Sequence, residues 1–297
     1  MSAPTDYRTA GHVSYSVHIK PILTKTPHHS RHLQLNGSAD TTSRAYLNAV
    51  HCLALTPDRF DAEYAICTVR RDKRTKAYQE FLAEAGDRKV LTEAEAEKAA
   101  EVATVIRSHP RVAEALAGDH LAEALLSADI PGLGPCGGRG DLIWFDHNTE
   151  TVWWIDLKSW KSNDPRAVAR DIVTGTWDVQ LAWYSRLGIL SGIVPESCAD
   201  YDHRRVTLIA CEGGADDPIT VGWHEHTPLM CEDGDKRLDK ALDIIRECRE
   251  TGIWPGEHTD SVASPPKWAV DEAGIDLDEF FGVIITADDS DDSDNND

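Results

Sequence analysis

The apolar positions of this chain change their spacing along its length. Through the first 127 residues they fall at helical intervals, three or four apart. Around residues 142–155 they become two dense runs, Leu142-Ile143-Trp144-Phe145 and Val152-Trp153-Trp154-Ile155, on either side of a polar turn at 146–149. Two such runs around a turn predict a β-hairpin. Further on, Val206-Thr207-Leu208-Ile209-Ala210 and Ile219-Thr220-Val221-Gly222-Trp223 read as two more strands. Helical spacing returns in residues 236–249, with Leu238, Leu242 and Ile245, and Gly252 to Gly256 closes that segment.

The finer elements follow from punctuation. Residues 13–23 read as a helix, followed by a Pro/His-rich turn at 26–29 and a polar loop at 36–42. Ser43 is placed to cap a helix through Leu55, and Pro57 opens a short helical segment containing Phe60 and Tyr64. A helix with Tyr78, Phe81 and Leu82 on one face comes next. Thr92 and Glu95 form a capping-box pattern for an Ala-rich helix to about Ser108. Helical turns are expected at 111–117 and 120–127, and a glycine-rich approach at 132–140. Helices are expected again at 167–173 and 177–189. Helices followed by strands, then helix and strands, indicate an α/β (α+β) fold with a mixed central sheet. With no clean linker before about Pro265, the expected organisation is one domain over 1–264, its 1–130 part mostly helical and its 131–264 part the sheet core.

Composition narrows the class. The chain has 297 residues and is 41% hydrophobic, enough for a sizeable core. It has no apolar run long enough to span a membrane. Residues 1–8 lack an apolar signal core, so a cytoplasmic location is expected. The seven cysteines are an odd number without CxxC spacing, which argues against a disulfide framework or zinc knuckle. His224, His226 and Cys231 lack a fourth zinc ligand at sensible spacing. The net charge of −21 argues at first against a nucleic-acid partner. Its distribution changes that. Eleven acids and no Lys or Arg fall in 271–297, which leaves −10 on the rest. Residues 265–297 are therefore expected to be an acidic, solvated, disordered tail. Conversely, Arg70, Arg71, Lys73, Arg74 and Lys76 put five cations into seven residues.

The candidate chemistry lies on the hairpin. Asp141 precedes its first strand run, and Asp156 and Lys158 end its second. Alternation along a strand puts Asp156 and Lys158 on one face, and Asp141 can reach that face from the neighbouring strand. Two acids and a lysine suit metal-assisted phosphodiester hydrolysis: carboxylates hold a hard cation, and the lysine orients or activates water. Gln180 and Tyr184 are one helical turn apart on a common face. Arg139 is placed to hold a phosphate, with a structural salt bridge as the alternative. Arg70, Arg71, Lys73 and Arg74 are candidates for the DNA backbone, with a solvated face as the alternative. Trp160, beside the site, is a candidate for stacking on a base, and Lys161 next to it is a candidate DNA contact from the basic set that begins at the site.

These residues resemble the PD-(D/E)xK nuclease superfamily, in particular its exonuclease VIII (RecE-like) branch of phages and prophages. The likeness runs over most of the chain. Tyr7, Ser14-Tyr15-Ser16 and the stretch from Ile22 to His29 resemble the family's opening segment. Ala49-Val50-His51-Cys52 with Leu55, Pro57 and Phe60 resembles its histidine motif, and Leu91-Thr92 with His109-Pro110 its middle helices. Gly138-Arg139-Gly140-Asp141, Asp156-Leu157-Lys158 and Gln180 with Tyr184 resemble its catalytic motifs, and Trp254-Pro255-Gly256 its end. Ser159-Trp160 departs from the usual Thr after the lysine, and Ser38-Ala39-Asp40 is a polar insertion.

The resemblance implies a restriction-endonuclease-like core, with Asp141, Asp156, the Leu157 backbone carbonyl and His51 as metal ligands. It makes Lys158 the residue that positions water. Glu123 would be a site-facing glutamate on a helix, with Glu114 as the alternative. Gln180 would reach the scissile region, and Tyr184 would support it or touch DNA. The implied cofactor is Mg²⁺, with Mn²⁺ able to substitute. The implied activity digests the 5′-ended strand of linear duplex DNA. The 3′ single strand that remains would serve a RecT-like annealing partner in recombination, and the enzyme would be a trimeric or tetrameric ring. The alternatives are an endonuclease or RecB-like nuclease subunit of the same superfamily, and a non-catalytic protein that binds DNA ends.

Overall fold

The computed structural model describes residues 11–37, 42–212 and 217–256, with backbone only at 42–44. Tyr7, the Ser38–Asp40 insertion and the acidic 265–297 segment lie outside these residues. Residues up to Gly256 cluster as one unit.

A π-helical turn, Tyr15–Ile19, leads into α1 (Lys20–Thr24), then α2 (Pro27–Asn36) and α3 (Thr42–Leu55). A 3-10 turn and α4 (Phe60–Glu63) lead to strand β1 (Tyr64–Cys67). Next come α5 (Lys76–Ala85), β2 (Lys89–Thr92), α6 (Glu93–Ser108) and α7 (Pro110–Ala117). The main sheet follows with β3 (Asp119–Ile130), β4 (Gly134–Asp146) and β5 (Thr151–Trp160). After α8 (Pro165–Thr174) and α9 (Trp177–Leu190) come β6 (Asp202–Cys211), β7 (Thr220–Glu225) and α10 (Pro228–Thr251). The five strands lie in the order β3-β4-β5-β6-β7, and β1 and β2 form a separate parallel pair. Only β5 and β6 pair in parallel in the main sheet; its other neighbours are antiparallel. The fold is thus α/β with a mixed sheet.

Both sheet faces are covered, which is why the strand sequences are nearly continuous apolar runs. Ile143, Phe145, Val152 and Trp154 pack with α9, α10 and the Tyr15–Ile19 segment. Leu142, Trp144, Trp153, Ile155 and Leu157 pack with α3, α6 and α7. The alternation predicted from the hairpin therefore splits its side chains between two cores. Burial of each such side chain contributes roughly 1.5–3 kcal/mol.

Several expected elements take another form. The capping box at Thr92 is present, with Thr92 Oγ1 accepting from the Glu95 N–H and Glu95 accepting from the Thr92 N–H. The turn expected at 26–29 instead starts α2: Thr26 Oγ1 caps it by accepting from the His29 N–H, and Pro27 takes the first position. The helix expected over 13–23 is present but starts at Tyr15, with a π-helical first turn running into α1, because Val13 docks on β4 through Val13 N–H to Pro135 O and Gly137 N–H to Val13 O. Tyr64 lies in a strand, since α4 stops at Glu63. The segment 120–127 is strand β3 and not helical turns, and the glycines from Gly134 belong to β4. Helix-forming residues there yield to eleven ladder pairs with β4, a tertiary override of local propensity.

Candidate active site

The site forms where two strands part. The β4–β5 ladder runs from Asp146↔Thr151 to Leu142↔Ile155 and stops. Beyond it β4 stays paired to β3, and β5 stays paired to β6 as far as Trp160. Asp141 is the first β4 residue past the split, and its Oδ2 accepts from the Leu157 N–H at 2.8 Å. Side chains from both helical layers enter the opening, His51 from α3 and Gln180 from α9.

Asp156 is 1% exposed and carries the centre of the network. Its Oδ1 accepts from Gln180 Nε2 at 2.8 Å, and Lys158 Nζ stands 2.7 Å from its Oδ2. That ion pair is buried, and it sets the lysine charge directly against Oδ2. Lys158 Nζ donates to Gln180 Oε1 at 3.0 Å, and Gln180 Nε2 also donates to Tyr184 Oη at 3.1 Å. The amine lies 5.9 Å from the Trp177 ring centre.

On the other side His51 Nδ1 is 3.6 Å from Asp141 Oδ2. Glu123 stands opposite Asp141 in the register, between the pairs Ala122↔Leu142 and Ala124↔Gly140. Its φ of 51° interrupts the ladder at that one position. The expectation of a helical glutamate is thereby corrected: Glu123 is site-facing on a strand, and the left-handed backbone turns it there. Arg139 Nη1 donates to Glu123 Oε2 at 3.3 Å. Glu114, the alternative, is exposed on α7.

The electrostatics are those of too many acids in one place. Burial raises Asp141 well above the usual carboxylate range, and the charges of Asp156 and Glu123 add to it. Burial raises Asp156, against the pull of Lys158, and raises Glu123, against Arg139. Burial, with the Lys158 charge, lowers His51 to about 4, so its imidazole is neutral and free to ligate. One donor atom each from His51, Glu123 and Asp141 fall within 4.8 Å of one another. A neutral imidazole and a cluster of desolvated carboxylates together fit a divalent cation. Leu157, whose carbonyl was expected to complete the set, contributes a backbone hydrogen bond to His51.

The cleft beside these groups, about 200 Å³, is lined also by Asn48, Arg59, Glu63, Tyr64 and Lys89. Sequence reasoning passed over these residues and over Lys20, whose charge bears on both Asp156 and Lys158. Asn48 had a signal, since it lies three residues before His51 on α3. Lys20 and Lys89 had none, because the folded topology alone brings them near.

The DNA candidates fall into separate places. Trp160 donates from Nε1 to Asp171 at 2.8 Å, packs edge-on against Trp177 at 4.9 Å, and is 37% exposed. Lys161 Nζ lies 5.9 Å over its ring. Arg71 donates to Glu95 and to the Val90 carbonyl, both at 2.9 Å, and Arg74 forks onto Asp72. Arg70 and Lys73 are exposed in the same loop. None of these four residues lines the cleft.

No protein-family model matches the chain, and no curated protein matches it. The fold is similar to the crystal structure of a "putative exonuclease" from Eubacterium rectale. The TM-score is 0.54 at 13% identity, over 93% of this chain and all of that one. Among the described residues, no helix is long and apolar enough to cross a membrane.

Proposed function

We propose that this chain is a divalent-metal-dependent exodeoxyribonuclease of the RecE-like PD-(D/E)xK kind, acting on linear double-stranded DNA. One observation carries the reading: Asp141, Asp156 and Lys158 converge at the strand split, with His51 and Glu123 beside them. A structural ion-pair cluster would balance its charges, and this one sets three carboxylates, Asp141, Asp156 and Glu123, against the cations Lys158 and Arg139. The likeness in fold to the Eubacterium rectale protein supports the same direction.

His51, Asp141, Glu123 and Asp156 would hold the ion. Oxygen-rich with one imidazole, the set suits Mg²⁺ and accepts Mn²⁺. A bound cation supplies Lewis acidity toward a phosphoryl oxygen and makes a coordinated water more acidic. The chain's own groups do the rest. The Lys158 amine, held by Gln180 and Asp156, donates toward charge developing on the phosphate and orients water. Gln180 fixes both Lys158 and Asp156 through one amide. Arg139 is the candidate for a neighbouring phosphate, at the cost of its bond to Glu123. Attack on the 5′-ended strand, a ring-shaped trimer or tetramer and hand-over of the 3′ strand to a RecT-like annealing protein complete the proposal.

The test is digestion of linear duplex labelled at either the 5′ or the 3′ ends, in Mg²⁺, Mn²⁺ and chelator. Early metal-dependent loss of the 5′ label, with the 3′ label retained in long single strands, is expected. Early loss of the 3′ label overturns the polarity. Internal cuts favour an endonuclease. No cutting with either ion overturns the nuclease reading.

A further inference from the structure

The junction between α8 and α9 is held in a costly conformation. Thr176 is 1% exposed and sits at φ 60°, ψ 29°, the left-handed region that β-branched residues rarely adopt. Gly175 before it has no room for a side chain: a Cβ would stand 2.7 Å from the Asp171 carbonyl oxygen and 2.7 Å from Trp177 Nε1. Such a backbone persists only where its surroundings hold it, and it collects at functional sites.

The hold comes from the far end of the chain. The Tyr15 hydroxyl donates to the Thr176 carbonyl at 2.6 Å and also lies 2.6 Å from Thr176 Oγ1. Tyr15 is itself 6% exposed and anchored, since Val13 beside it is bonded to Pro135 and Gly137 of β4. The Thr176 carbonyl has a second donor, the backbone N–H of Gln180 at 3.0 Å. One oxygen thus joins the tyrosine of the N-terminal segment to the first turn of α9.

That turn faces the site. Gln180 accepts from Lys158 Nζ and donates to Asp156, and Trp177 offers its ring to the same amine. A shift of the turn moves both groups relative to Lys158.

We infer that Tyr15 is a positioning residue, whose hydroxyl latches the first turn of α9 at Thr176 and thereby sets Gln180 and Trp177 around the Lys158 amine. This rests on the nuclease reading. It gives the Ser14-Tyr15-Ser16 segment a task that neither packing nor metal binding assigns it. A tyrosine that merely fills the core would act equally well without its hydroxyl.

Tyr15→Phe removes the hydroxyl and keeps the ring. Two readouts are taken, each in the wild-type and Gln180→Ala backgrounds. The first is hydrogen exchange across 177–181, with α10 as the internal reference. The second is kcat and KM on linear duplex DNA. Exchange is expected to quicken over 177–181 and not over α10. A drop in kcat of about tenfold is expected, with KM within about twofold. In the Gln180→Ala background Tyr15→Phe should cost clearly less activity than in wild type, since the Gln180 contact it sets is already gone and only the Trp177 placement is left to lose. Unchanged exchange, or an equal activity loss in both backgrounds, overturns the inference. If the wild-type protein cuts no DNA, the nuclease reading fails by itself. The exchange arm then still decides the latch: local quickening sustains it and unchanged exchange refutes it.

Discussion

Asp141 Oδ2 accepts a hydrogen bond from the backbone N–H of Leu157 at 2.8 Å, across the point where β4 and β5 separate. A carboxylate has taken the place of the next ladder carbonyl. This one bond ties the first acid to the strand that carries the second acid and the lysine. It also engages one of the two Asp141 oxygens with a neutral donor, which offsets none of the repulsion from Asp156 and Glu123.

A cation should therefore stabilise the fold measurably. In wild type, Mn²⁺ or Mg²⁺ at about 100 times its Kd adds about 2.7 kcal/mol. For a chain of this size that is a rise of roughly 5–10 °C in melting temperature. Asp141→Asn should lose that shift. In chelator it should melt a few degrees above wild type, because it removes a charge that Asp156 and Glu123 oppose. Thermal melts with and without the ion check both directions.

Gly138 is fixed by the ring that supports Gln180. A Cβ there would meet Tyr184 Cε1 at 2.9 Å and Cδ1 at 3.1 Å. Gly138→Ala should cost about 1–3 kcal/mol by overpacking. It should also lower kcat severalfold, by pushing Tyr184 Oη off Gln180. Gly140→Ala is the control, since its Cβ meets only ordinary contacts of 3.6–3.7 Å. Urea unfolding and digestion rates on both variants separate the two glycines.

The basic loop should divide by residue. Arg71→Ala breaks the bonds to Glu95 and Val90 and should cost about 1 kcal/mol in stability. It should leave the salt dependence of DNA binding unchanged. Arg70→Ala and Lys73→Ala should leave melting unchanged and each flatten the salt slope by about 1. Binding to a duplex across a salt series, beside melts, is the measurement.

His18 and His226 should make the fold acid-sensitive. Burial lowers each to about 4, with Arg249 acting further on His18 and Arg205 on His226. The unfolded chain then binds more protons than the folded one, so this stability is full above about pH 6.5 and is lost as pH falls toward 4. Each contributes at most about 2 kcal/mol between pH 7 and pH 5. Asp141 and Asp156 are raised and act in the opposite sense, with protonation favouring the fold. The histidine effect is therefore read as a difference. Unfolding free energies of wild type and His226→Phe at the two pH values should diverge, with a shallower slope in the variant. Equal slopes would remove His226 from the account.

The hairpin, with Asp141, Asp156 and Lys158 at one end, could be read from the sequence, because two dense apolar runs and a polar turn between them are local signals. The capping box at Thr92 and the face shared by Gln180 and Tyr184 are local in the same way. The strand β3 was hidden, because residues 120–127 are good helix formers and their pairing with β4 is decided at long range. Glu123 was named in the wrong element for that reason, and its φ of 51° has no sequence signature outside glycine. The parallel pair β1–β2 joins segments separated by α5, again beyond local reach. Tyr15 and Thr176 meet across 161 residues, so nothing in either neighbourhood foretold the latch.

The central claim is that Lys158 and the two aspartates hydrolyse DNA from its ends. The most direct measurement sets linear beside covalently closed circular duplex, in Mg²⁺, with wild type and Lys158→Ala. The account predicts loss of linear DNA only, slowed about 10²–10³-fold by the substitution. Cutting of closed circles, or equal rates for wild type and Lys158→Ala, would contradict it.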